Sequence, residues 1–507
     1  MPSGSTETGR YAAGRDNVHV PPGARSQFLT YFPSIMLPMF LAALDQTVVA
    51  TALPDIAGSL GEVERVSWIV VSYLVANTIA APVYGRLGDA LGRRRMMFVA
   101  IGVFMAASLL CAASGSILML TGARLLQGLG GGGLMTLSQA LIAEAVPPRQ
   151  RGQYQGYLSG TYATAATFGP VAGGFLTEHF GWPSVFLVNL PLGLVAMVLV
   201  LRLPAHRERS GGRFRFDVWG TVFFAGFIAP LLLALERAQR FDVRALPAIA
   251  TLVAAAMGSA VLLVRQERRA PSPLLPVQLF RQAGIWRTDL MAACVAGQTV
   301  SLVSFLPMYL QVVRGATPAG SGFLLMPLTV GISFGSLFTG RMIARTGYTA
   351  IMPSIGLAVS LATLVCLALF APELTRAEMI GALAVISCCT GTAMPVVQMT
   401  VQVVAGPKFL GAAAASVQFS RSVGAVFGTA LVGAVLFALL AAQDPHTAAV
   451  FADLVERGQS ALGGLAAGQR AAIQAEIADA FRGAFLTVST FTASALLLAW
   501  WLPVRRI

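Results

Sequence analysis

The chain has 507 residues, 56% of them hydrophobic and 11% charged, with a net charge of +13. Soluble domains carry about 25% charged residues. Less than half of that share, with apolar runs along nearly the whole length, excludes a large soluble protein, whose buried helices would show polar faces. The composition is that of a polytopic membrane protein.

Residues 1–27 are polar and hold Gly, Ser and Pro, which predicts a disordered tail ahead of a retained first span rather than a cleaved leader. A spanning helix needs about 20 apolar residues. Predicted spans fall near 30–54, 66–87, 96–114, 117–145, 153–178 and 183–203, then 217–236 and 244–264, then 287–312, 320–343, 349–370, 377–404, 411–441 and 482–503. Fourteen spans place both termini on one side. The tail and the even-numbered loops hold most of the arginines, among them Arg86, Arg93–Arg95, Arg149, Arg207, Arg209, Arg213, Arg215, Arg268 and Arg269. By the positive-inside rule both termini are cytoplasmic, and the net charge reflects topology rather than nucleic-acid binding. All but one of the 35 basic residues are arginine, Lys408 being the exception, which reads as codon bias. The odd loop at 442–481 is long, and the helical period of its second half predicts one or two amphipathic helices on the outer surface.

The cysteines, Cys111, Cys294, Cys366, Cys388 and Cys389, lie inside apolar spans and read as packing residues, not disulfides or metal ligands. The histidines, His19, His179, His206 and His446, are scattered through tails and loops. Neither a metal site nor a catalytic triad is expected. The glycines of "GLGGGGLM" are no phosphate loop, since no Gly-Lys-Ser/Thr follows; within a span they allow close helix contact.

The second loop reads "GRLGDALGRRR" (85–95). Topology accounts for its arginines but not for Gly85, Gly88, Gly92 or Asp89. Glycines permit a tight turn and close helix approach, and an aspartate can cap a neighbouring helix. Such a loop can latch one face of the protein and release it. The stretch resembles the loop signature of the major facilitator superfamily, G-x-L-[GA]-D-x-x-G-R-[RK], at Gly85, Leu87, Gly88, Asp89, Gly92, Arg93 and Arg94. "LDQTVVATALPDI" (44–56), "RLLQGLGGGGLM" (124–135, with Arg124, Gln127 and Gly128) and "FGPVAGG" (168–174, with Gly169, Pro170, Gly173 and Gly174) resemble motifs of its drug:proton antiporters. Ala165 stands where the last of these usually has a leading glycine. "LPMYLQVVRGATPAGSG" (306–322) and "QFSRSVGAVFGTAL" (418–431) are similar to the second half of the fourteen-helix EmrB/QacA branch. A degraded copy of the loop, "GRMIARTG" (340–347), lacks the aspartate and marks an internal repeat.

The resemblance implies an all-α major facilitator fold: a six-helix half over 28–205, two inserted helices over 206–270, and a second half over 271–507. It implies a proton-coupled efflux antiporter for lipophilic, monocationic or neutral compounds. Export of one endogenous lipid or natural product is the alternative, and a membrane enzyme or sensor a more distant one. No cofactor is expected beyond the proton gradient. Partners would be substrate, protons and membrane lipid, no nucleic acid, with a periplasmic adaptor left open; the location would be a bacterial inner membrane.

Charges deep in spans mark function by default. Asp45 lies about 14 residues up span one, roughly 21 Å from the inner surface, and Arg124 at a similar height in span four. They are read either as a proton-carrying carboxylate tuned by a guanidinium or as a permanent ion pair pinning two helices. Glu144 and Arg151, at and after the inner end of span four, are read as joining the 85–95 latch. Arg421, halfway along span thirteen, is a counter-charge, a substrate contact or a gate pin. Gln46, Tyr157, Gln298, Gln398 and Gln402 are candidate cavity residues. Asp289, near the inner end of span nine, reads as interfacial. Pro170 and its flanking glycines suit a pivot between helices.

Overall fold

The computed structural model describes residues 24–61, 65–146, 148–203, 216–238, 246–274, 277–316, 318–407, 409–444, 447, 450–451, 467–502, 504 and 506. The predicted tail before residue 24, the arginines at 207–215 and the centre of the 442–481 loop lie outside them. All seventeen elements named here are helices. They are α1 (Ala24–Leu60), α2 (Ser67–Leu91), α3 (Arg93–Ala112), α4 (Ile117–Ala145), α5 (Pro148–Phe180), α6 (Ser184–Leu187), α7 (Asn189–Val200), α8 (Val218–Ala238) and α9 (Leu246–Arg269). Then follow α10 (Val277–Phe280), α11 (Ala283–Val312), α12 (Pro318–Thr346), α13 (Ile351–Phe370), α14 (Arg376–Gly391), α15 (Ala393–Ala405), α16 (Leu410–Gln443) and α17 (Ala467–Trp500).

Each of the fourteen predicted spans contains helix. Among the described residues, ten helical segments are long and apolar enough to cross a membrane by composition alone. The shortfall has local causes. α4 carries a run of four glycines with Arg124 and Gln127, α5 is rich in Thr, Ser and Tyr, α6 with α7 covers only Ser184–Val200, and α12 interleaves Gly, Ser and Thr and carries Arg341 and Arg345. α4 is buried along most of its length, whereas α5 and α7 leave Phe168, Val171, Leu194 and Val195 exposed.

Local chemistry sets the helix ends. Ser116 caps α4 by accepting from the Met119 N–H at 3.2 Å. Thr375 and Glu378 form a reciprocal capping box at the start of α14. The break between α14 and α15 follows from Pro395, which has no N–H for the Gly391 carbonyl one turn earlier. Ser336 of α12 donates to that carbonyl at 2.8 Å. The second half of the 442–481 loop is helical from Ala467 on, as expected, but it is not a separate helix: it is the first part of α17, which continues unbroken into the last span. Ile473, Ile477 and Phe481, the apolar face of that pattern, are buried against Tyr309, Phe437 and Phe451.

The core sorts the helices into two sets. Buried apolar residues from Ile35 to Leu203 form one cluster. Those from Leu279 to Leu502 form three more. α8 and α9 pack on each other, and α8 bridges the sets through Phe224, Ile228 and Leu232, against Val75 on one side and Phe419 on the other.

Candidate functional site

Asp45 on α1 is 1% exposed and Arg124 on α4 2% exposed. Arg124 Nη1 donates to Asp45 Oδ2 at 2.6 Å and to Gln127 Oε1 at 2.6 Å. Gln127 Nε2 and Asn189 Nδ2 each donate to Asp45 Oδ1 at 2.8 Å. Every contact to the carboxylate is thus from a donor, the arrangement that an ionised acid requires. The guanidinium lies over the Tyr73 ring, 4.2 Å from its centre. Helix periodicity explains the local grouping: Arg124 and Gln127 are three residues apart on one face of α4. Their glycine-rich continuation lets α2 approach, since a Cβ at Gly128 would meet the Tyr73 carbonyl oxygen at 2.5 Å. The predicted meeting of Asp45 with Arg124 is present. Asn189 of α7 and Ser108 of α3, which accepts from Gln127 at 2.8 Å, complete the node. Sequence reasoning missed both; a lone Asn two residues before Pro191 in an apolar run was the available signal.

The 85–95 stretch spans the end of α2 and the start of α3, with the turn at Gly92 (φ +94°). Asp89 accepts the Gly411 N–H on both oxygens at 3.1 Å. Gly411 is the second residue of α16, so its N–H has no partner within the helix. Arg93 donates to Asp89 at 2.6 Å and also pairs with Glu144. The sets meet so closely here that a Cβ on Gly85 would lie 2.5 Å from the Gly411 carbonyl oxygen. At Gly88 it would meet the Leu137 side chain. Two expected latch members do not cross between the sets. Arg94 donates to the Leu201 carbonyl at 2.9 Å, and Arg151 to the Val146 carbonyl at 3.0 Å. Burial first, and the Arg93 charge second, lower the Arg151 pKa.

The repeat stretch makes the matching contact. Gly340 of α12 abuts the Gly152 backbone of α5, and a Cβ on it would overlap the Gly152 carbonyl. Ser333 donates to the Ser159 carbonyl at 3.1 Å, and Gln398 to Gln139 at 2.5 Å. Gly152 is near the start of α5 and Gly340 near the end of α12.

The "GPVAGG" residues serve the α1–α5 contact. A Cβ on Gly169 would overlap the Thr47 hydroxyl, and one on Gly173 would lie 2.7 Å from the Val48 carbonyl oxygen. Gly174 faces open space and α5 runs unbroken through Pro170. The candidate cavity residues divide. Gln298 is buried within the second set, donating to Thr390 at 2.9 Å. Gln398 joins the cross-set contact, and Gln402 is buried with neither amide atom bonded among the described residues. Tyr157 is half-buried in an aromatic group with Phe32 and Tyr154. Gln46 and Arg421 are half-buried.

Residues 35–429 match the family model described as Major Facilitator Superfamily. The chain is 29% identical over 416 residues to the multidrug transporter protein MdtP of Bacillus subtilis (strain 168), across 82% of this chain and 76% of that one. It is 31% identical over 432 residues to the acurin A biosynthesis cluster MFS-type transporter of Aspergillus aculeatus, with the same coverage of 82% and 76%. The crystal structure of the human organic anion transporter MFSD10 (TETRAN) shares the fold. Its TM-score is 0.65 over 94% of this chain and 100% of that one, at 16% identity. The match runs from the first helix to the thirteenth predicted span and takes in the Asp45 node and the Asp89 contact alike: this chain belongs to the major facilitator superfamily.

Proposed function

We propose that the protein is a proton-coupled antiporter of the fourteen-helix drug-efflux branch, exporting lipophilic small molecules by alternating access. The observation that carries this reading is the Asp45 node. A carboxylate fully buried among donors, and paired with one arginine, is a charge that a proton can neutralise and thereby free from its partner. The two helix sets are read as the two six-helix halves, with α8 and α9 inserted between them. The arginine distribution makes the Asp89 end cytoplasmic, in a bacterial inner membrane. With that end closed by Gly85–Gly411 and Gly152–Gly340, the conformation is outward-facing and Asp45 has released its proton. Proton uptake at Asp45 would loosen Arg124 and permit the return.

The test is transport by purified protein in proteoliposomes under an imposed pH gradient. Uphill substrate movement that collapses when the gradient is dissipated is expected. Movement indifferent to the gradient overturns the coupling. The kinship with a transporter of a biosynthesis cluster favours a second reading, export of one endogenous natural product. Competition by structurally unrelated drugs in the same assay supports the first reading, and its absence the second.

A further inference from the structure

Asp289, expected at the inner end of span nine, is buried inside the protein. It sits about 9 Å into α11 and is 5% exposed. Its Oδ1 lies 3.3 Å from the Ser416 hydroxyl of α16, and its Oδ2 has no hydrogen-bond partner among the described residues. Among the described residues no cation pairs with it. Arg287, two residues earlier, donates to the Trp501 carbonyl at 2.6 Å and lies over Trp286. Of the helices packed on α11, α16 carries Arg421 five residues beyond Ser416, and α12 carries Arg341 and Arg345. α15 has no charged residue, and α17 none from Gly483 onward. Among the described residues none of these arginines pairs with Asp289, whose one hydrogen-bond partner there is Ser416.

An ionised carboxylate is costly in such a place, and a neutral acid fits it. Ser416 has one hydrogen and two acceptors within reach, the Ala413 carbonyl at 3.0 Å and Asp289. If Asp289 holds a proton, it donates to Ser416 Oγ while Ser416 donates to Ala413, and every hydrogen is used. Asp45 is the opposite case, ringed by donors and an arginine.

We propose that Asp289 is a second proton-binding site, in the second helix set, loaded while α16 is docked on Asp89. Ser416 is five residues along α16 from Gly411. Losing the Asp289 proton to water would leave an unpaired buried charge on the flank of the helix that Asp89 holds. Moving α16 relieves it, so proton release and undocking are linked. Its part in transport rests on the proton-coupled reading above; its protonation does not.

The experiment is infrared difference spectroscopy of the purified, lipid-reconstituted protein through a pH titration. A protonated-carboxyl C=O band at neutral pH should vanish in Asp289→Asn, shift in Asp289→Glu and persist in Asp45→Asn. An unchanged band in both Asp289 variants overturns the proposal. Where Asp289→Asn fails to fold, Asp289→Glu alone decides through the band position. Protons moved per substrate should fall by one in Asp289→Asn; an unaltered ratio overturns the transport role. Normal gradient-driven transport by Asp45→Asn would instead overturn the Asp45 reading and leave the band assignment standing.

Discussion

Asp89 holds the first turn of α16 from 322 positions earlier in the chain, both its oxygens 3.1 Å from the Gly411 N–H. A carboxylate at a helix N-terminus gains from the free N–H groups and from the helix dipole, up to about 2 kcal/mol when partly buried. Asp89→Asn keeps the shape and every arginine, so membrane insertion should be unchanged. The closed end should open roughly tenfold more often. A single cysteine placed inside that end, in a cysteine-free background, should label faster while transport slows. Unchanged labelling and transport would reduce the stretch to a topology signal.

Gly85→Ala tests the same contact by volume. Its Cβ would stand 2.5 Å from the Gly411 carbonyl oxygen, so that α2 and α16 must separate to admit it. The expected result is a folded protein of near-normal melting temperature that cannot close the Asp89 end and transports poorly. Wild-type transport would show that the contact spreads at no cost.

Asp45→Asn leaves Arg124 charged, buried and unpaired, which costs roughly 3–5 kcal/mol. Gradient-driven transport should stop and the melting temperature should fall. Adding Arg124→Gln should recover part of the melting temperature but none of the transport. Recovery of both would make the pair a structural pin.

Arg124→Lys keeps the charge and loses the planar guanidinium, whose Nη1 donates to Asp45 and Gln127 while Nε donates to the Ile69 carbonyl and the plane stacks on Tyr73. Transport should drop with a displaced pH profile, and Arg124→Ala should lose more. An alanine variant with the wild-type pH profile would remove the arginine from the coupling.

Much of this was legible in the sequence because membrane helices advertise themselves. Asp45 and Arg124 stood out as charges among apolar residues, and equal depth was enough to bring them together. Asn189 and Ser108 escaped because neutral polar side chains carry no such contrast. The Gly152–Gly340 contact was open to view yet unread. Pro148 to Gly152 and Pro407 to Gly411 share the pattern P-x-x-x-G, and each glycine meets the first glycine of one repeat copy. Why only the first copy keeps an aspartate needs the helix boundaries. Gly411 is the second residue of α16 with its N–H free, whereas Gly152 is the fifth of α5 and lies within the helical ladder. The burial of Asp289 was not legible because it depends on α16 lying alongside.

α16 is 34 residues long and has no interior proline, whereas α1 contains three. It is therefore a stiff rod of about 51 Å, gripped near one tip by Asp89. Such a rod acts as a lever. A small sideways shift at Gly411, pivoting on the Asp289–Ser416 level, is amplified at the distant tip in proportion to the longer arm. Stiffness there, rather than a chain of side-chain rearrangements, would carry an event at one surface to the other.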